Sequence, residues 1–164
     1  LVPIPMTVGN DMDFLTMGCW AQKHPDAGSL VTLFMGGNGI GGGMVINGRL
    51  WTGASGYCSE VGFLPVYERL NKGSLGLPPA EHISELYARL IQIYAVTVNP
   101  HMMVLYRHPL LEGRLDEIRR LCASYLPSKA IPSIELSYDY QQDYEKGLFT
   151  VAKSLEQAVS EGGL

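Results

Sequence analysis

Asp11 and Glu60 are the carboxylates whose neighbours suggest chemistry. Asp11 follows Asn10 at what reads as a helix start, and Glu60 stands in a glycine-bordered stretch running from Gly53 to Gly62. A carboxylate beside a substrate hydroxyl can orient it and accept its proton, and carboxylates accept hydrogen bonds from several hydroxyls. Between the two lie the apolar run Leu30 to Met35, the segment Gly36-Gly37-Asn38-Gly39-Ile40-Gly41-Gly42-Gly43, and a second apolar run from Met44 to Asn47. Six glycines in eight residues exceed what a turn requires. The pattern reads as strand, turn, strand, with the backbone of Gly37, Asn38, Gly39 and Gly41 able to approach a phosphate. Plainer readings stand beside these: Asn10 or Asp11 as a helix cap, Glu60 as a solvated loop carboxylate, and the glycines as a hairpin packed closely in a sheet.

Two phosphate motifs are excluded. Gly37 to Gly42 satisfies G-x-G-x-x-G literally, but a dinucleotide site needs a helix there, whereas Met44 to Trp51 reads as strand then turn. No Lys-Ser or Lys-Thr follows the glycines, so this is not a P-loop. Cys19, Cys58 and Cys122 are odd in number and far apart, against both a disulfide framework and a thiolate zinc site. His24, His82, His101 and His108 are dispersed, with no pair at metal-ligand spacing, and no metal is expected.

The elements that must position these groups fit one domain, 1–164, whose 46% hydrophobic content supports a substantial core. Asn10 to Lys23 reads as a helix with Phe14, Met17, Cys19 and Trp20 near one stripe. Leu30 to Met35 and Met44 to Asn47 are strands, and Leu64-Pro65-Val66 a weaker third. Asn71 to Pro79 is a loop, followed by a strong helix from Glu81 to Val98 that Asn99-Pro100 stops. Met102 to Tyr106 and Ser133 to Tyr138 read as strands, Leu115 to Tyr125 and Tyr144 to Val159 as helices. A hairpin followed by alternating strands and helices predicts an α/β domain with a mixed sheet flanked by helices. A net charge of -4 with scattered Lys and Arg gives no footprint for nucleic acid, so DNA binding would need a segment outside this chain. No apolar run reaches the roughly 18 residues of a membrane span, and a signal peptide's regions are missing, which points to a cytoplasmic location. The missing initiator Met, with an apparent strand beginning almost at once, suggests an excised piece of a longer protein.

In this order the features resemble the C-terminal lobe of the ROK family, which comprises sugar kinases and sugar-responsive repressors with an actin-like, ribonuclease H-like fold. Asn10-Asp11 matches the family's Asn-Asp, whose Asp is the catalytic base in the kinases. Leu33 to Gly43 resembles the second phosphate segment, with Asn38 where Thr is usual, and Gly53 to Gly62 resembles the stretch ending Gly-Glu-x-Gly-His, which would make Glu60 the sugar-binding carboxylate. Asn99-Pro100 with Met102 to Leu105 resembles the helix end and strand before the adenine site, and Gly147-Leu148 falls where the last helix passes the nucleotide. Phe63 replaces the family's His, the zinc-binding Cys run is missing, and Tyr106-Arg107-His108 stands in place of a glycine-rich adenine contact, where bulky side chains should crowd a purine.

The resemblance therefore implies the sugar-sensing effector lobe of a transcriptional regulator, binding a sugar or sugar phosphate at Asn10, Asp11 and Glu60. The alternative is the C-terminal half of an ATP- and Mg-dependent sugar kinase with Asp11 as base. The first phosphate loop and the N-terminal lobe lie outside this chain, so the fragment alone is not expected to phosphorylate anything. Zinc is not expected. Ile93 and Val96 extend the apolar face of the Glu81 to Val98 helix, and a homodimer through it is expected.

Overall fold

Leu30 to Met35 is apolar on both faces, as a strand between two helical layers must be, and it becomes the centre of the sheet. The computed structural model describes residues 6–37, 39–66 and 77–160. Here β1 (Ser29–Gly36) pairs antiparallel with β2 (Gly39–Ile46), and β2 pairs antiparallel with the short β3 (Arg49–Leu50). On its other side β1 runs parallel to β4 (Met102–Tyr106), and β4 parallel to β5 (Ser133–Ser137). The order is β3-β2-β1-β4-β5, a mixed sheet as expected. Helices α1 (Asp11–Lys23), α2 (Ile83–Thr97), α3 (Leu115–Tyr125) and α4 (Tyr140–Ser160) flank it.

Alternation along β1 divides the core in two. Val31, Leu33 and Met35 pack with Leu86, Leu90 and Ile91 of α2 and with Ile118 and Cys122 of α3. Leu30 joins Met12, Leu15 and Cys19 of α1 with Val104 and Tyr106 of β4 on the opposite face, and Phe34, Tyr140 and Tyr144 pack against that cluster. Tyr87 and Tyr94 of α2 are buried in the core.

The sheet's second layer depends on glycines in both helices. A Cβ on Gly18 of α1 would lie 1.7 Å from the Asp143 carbonyl oxygen, and one on Gly147 of α4 would lie 1.7 Å from that of Phe14. The two backbones are therefore in direct contact. Gly147 backs onto α1, which gives it a packing reason distinct from the nucleotide position that the resemblance implied.

Several expected boundaries change. Leu64 to Val66 is not a strand: Val61–Phe63 forms a single 3-10 turn there, and the third strand of the meander is Arg49–Leu50, reached through Asn47 and Gly48. Both turn residues have positive φ, 51° and 74°, the geometry that suits a two-residue hairpin between twisted strands. Met6 to Val8 is exposed and irregular where an early strand was expected. The last helix begins at Tyr140, four residues before the expected Tyr144, since the Tyr140 ring packs on Phe34 with centroids 4.5 Å apart. The expected loop at residues 71–76 lies outside the described residues.

Candidate functional site

The N-terminus of α1 lies at the hairpin end of β1 and β2. Asn10 is extended (φ -70°, ψ 144°), and its Oδ1 accepts a hydrogen bond from the Met12 amide at 2.9 Å. Asp11 Oδ1 accepts from the same amide at 2.8 Å. Asn10 is therefore the N-cap, one of the two outcomes the plainer reading allowed, and Asp11 opens the first turn of the helix. Capping engages only the oxygen of the Asn10 amide, and its Nδ2 donates to Glu60 Oε1 at 3.1 Å. Two segments fifty positions apart are thereby joined, and the three residues singled out from sequence meet at one place.

Consecutive glycines make that meeting possible. On one face of β2 a Cβ at Gly41 would lie 2.8 Å from Met12 Cγ, and one at Gly43 would lie 2.0 Å from Thr16 Oγ1. Thr16 uses the vacant space to bond Thr32 of β1, Oγ1 to Oγ1, at 2.5 Å. On the other face a Cβ at Gly42 would lie 2.8 Å from the Ser59 carbonyl oxygen. Gly41 and Gly43 thus seat the helix that carries Asp11, while Gly42 seats the loop that carries Glu60. Ser59 itself holds φ 67°, a left-handed conformation that costs a non-glycine residue about 1–2 kcal/mol, immediately before Glu60.

The four phosphate-loop residues separate accordingly. Gly37 is exposed at the turn, and Gly39, with φ 149°, opens β2; neither has an atom within 4 Å of its Cβ position. Gly41 lies inside the strand beneath Met12, away from any loop. Asn38 lies outside the described residues.

Two members of the site were not singled out from sequence. Asp13 is half-buried one turn into α1, and its pKa is raised first by burial and further by the charges of Glu60 and Asp11, against a lowering bond to the Asn10 backbone. Tyr140 is half-buried and its phenol is also raised, by burial first and then by the charges of Asp11 and Tyr144. Tyr140 stacks on Tyr144 at 6.0 Å with planes 5° apart. It stands at the start of α4, which brings it over Phe34 of β1.

Tyr106 corrects an expectation. It does not crowd a purine: the ring is buried and its hydroxyl donates to Asp143 Oδ2 at 2.6 Å. The same oxygen accepts from Lys23 Nζ at 2.8 Å, and Lys23 also reaches Asp139 at 3.1 Å. This polar knot, buried on Asp143, ties α1, β4 and α4 together. Arg107 turns outward onto Glu112, and His108 Nδ1 accepts from the Leu110 amide. Phe63 is 78% exposed and approaches the Tyr57 ring at 6.4 Å. Among the described residues no group of three or more metal-ligating side chains converges, and no helix is long and apolar enough to cross a membrane.

The model of the ROK family matches residues 1–78. No curated protein is detectably similar in sequence. Among solved structures, the ROK hexokinase of Thermus thermophilus superposes with a TM-score of 0.65 at 19% identity, covering 96% of this chain and 67% of that one. A ROK family protein of Streptococcus pneumoniae TIGR4 in complex with sucrose gives 0.65 at 17%, covering 90% and 66%. The Lmo2764 protein of Listeria monocytogenes gives 0.70 at 17%, covering 93% and 67%. The chain thus spans about two thirds of the length of these structures. Its sheet and flanking helices are those of the actin-like, ribonuclease H-like fold of the ROK sugar kinases. The chain is thus similar to the ROK family in the sequence of residues 1–78, and it shares its fold with solved ROK structures along most of its length.

Proposed function

We propose that this lobe binds a sugar through Asn10, Asp11 and Glu60 and acts as the effector domain of a ROK-type transcriptional regulator. The observation that carries the sugar site is the Asn10 to Glu60 hydrogen bond, which gathers an amide and two carboxylates at an open face. Such a set offers acceptors and a donor to vicinal hydroxyls. The sucrose complex of the pneumococcal relative and the hexokinase fold support a carbohydrate as the ligand class.

Phe63, in place of an imidazole, favours sensing over phosphoryl transfer. Tyr106 no longer weighs on that choice, because it is turned into the core. In the kinase alternative Asp11 would accept the hydroxyl proton, and ATP and Mg would supply the phosphoryl group and its charge neutralisation. As a sensor, the same contacts would stabilise one arrangement of the parent over another. DNA would be met by a segment outside this chain, and Val96, 66% exposed on α2, fits pairing of two copies.

Calorimetric titration of the full-length parent with hexoses and amino sugars tests the site. Replacing Glu60 by Gln keeps size but removes an ionised acceptor worth roughly 1.5–3 kcal/mol, so affinity should fall about ten- to a hundredfold with little change in melting temperature. Asp11→Asn should behave likewise while Asn10 still caps α1. Unchanged binding in both variants would refute the sugar site. Sugar-dependent ATP consumption that Asp11→Asn abolishes would establish the kinase instead.

A further inference from the structure

A cavity of about 220 Å³ opens behind Glu60, between the 57–64 loop and the C-terminal half of α2. Met44, Val61, Leu64, Ile93 and Val98 give it an apolar wall, with Tyr57 among the lining residues. Glu60 belongs both to this cavity and to the polar cluster with Asn10. The Tyr94 ring completes the lining, and its hydroxyl is buried with no hydrogen-bond partner. Ser59 approaches that hydroxyl without closing a hydrogen bond, and burial pushes the phenol up to about 12, so it is a neutral donor at physiological pH.

These walls suit no bare sugar. A pyranose placed there would bury hydroxyls against methyl groups, and an unpaired buried hydroxyl is costly. The volume is also informative: an apolar cavity of about 150 Å³ takes up benzene, so this one has room for a six-membered ring with a small substituent. An acetyl group would leave most of it empty.

We infer that the cavity is an aglycone site: the chain recognises a glycoside whose sugar ring meets Asn10, Asp11 and Glu60 and whose aromatic aglycone enters between Val61 and α2. This rests on the sugar-site reading and extends it to a substrate class. Tyr94 Oη would donate to a polar substituent on the far side of the aromatic ring.

Matched methyl, phenyl and 4-hydroxyphenyl glycosides of glucose, galactose and mannose, titrated into the full-length parent, test it, with free phenol as a probe of the cavity alone. For the sugar that binds, the phenyl glycoside should be at least about tenfold tighter than the methyl one, the gain expected from burying most of an aromatic ring. The 4-hydroxyphenyl glycoside should be tighter again. Val98→Trp should fill the cavity and reduce phenyl to the level of methyl without changing methyl. Tyr94→Phe, which keeps the ring, should remove only the added preference for 4-hydroxyphenyl. Equal affinity for methyl and phenyl glycosides in the unaltered protein would overturn the aglycone site and leave the sugar site standing. Phenol binding that Val98→Trp abolishes, with no glycoside bound, would overturn the sugar linkage. Failure of phenol and of every glycoside would overturn both.

Discussion

Replacing Gly147 by Ala should destabilise the protein, although a helix interior ordinarily gains by that change. Alanine is favoured over glycine by about 1 kcal/mol in an unhindered helix. Here the new methyl would sit 1.7 Å from the Phe14 carbonyl oxygen and 2.5 Å from its carbon, and 3.1 Å from the Gly18 nitrogen. Backbone atoms have no rotamer by which to step aside, so α1 and α4 must separate. Overpacking of this kind costs about 1–3 kcal/mol or more. Separation also stretches the Lys23 and Tyr106 bonds to buried Asp143, adding roughly 1–3 kcal/mol. Subtracting the helix preference leaves a net loss of about 3 kcal/mol. For a domain of this size each kcal/mol shifts the melting temperature by about 2–4 °C, so scanning calorimetry should find a fall of about 6–12 °C. Gly18→Ala should do the same, and the double variant should lose less than the sum because both methyls enter one seam. Gly62→Ala, with nothing within 4 Å of its Cβ position, should stay within about 0.5 kcal/mol. A melting temperature raised by Gly147→Ala would refute the backbone contact.

Further outcomes follow from the same geometry. Asn10→Ala should cost about 0.5–2 kcal/mol in urea denaturation through the lost cap, whereas Asn10→Asp should keep the cap and still weaken sugar binding, because the donor to Glu60 becomes an acceptor. Burial holds Cys19 up to about 12, Cys122 to about 11 and Tyr94 to about 12, and raises Tyr106 as well. The unfolded chain releases these protons first, from their ordinary values near 9.0 and 10.0, so the urea midpoint should fall as pH rises from about 9 towards 12. A flat midpoint across that window would contradict the burial of these groups. Cys19 and Cys122 are fully buried and Cys58 is not, so Ellman's reagent should titrate one thiol in the folded protein and three after unfolding.

What the sequence determined by itself was local chemistry and its order. Apolar runs of strand length, the period of α2, the cap at Asn10 and the punctuation at Asn99-Pro100 are set by residues close in the chain. The same is true of the identities of Asn10, Asp11 and Glu60. Only the tertiary structure decided what the glycines do, because the reason for Gly41, Gly42 and Gly43 lies in Met12, Thr16 and Ser59, and the reason for Gly147 lies in Phe14. A glycine records the absence of a side chain, and what fills the gap is nonlocal. For the same reason Tyr106 read as a cleft residue until its partner Asp143, thirty-seven positions away, drew its hydroxyl inward. Asp13 and Tyr140 entered the site only when β1 and β2 brought the start of α1 and the start of α4 to one end of the sheet, and the cavity behind Glu60 exists only because α2 passes beneath the 57–64 loop.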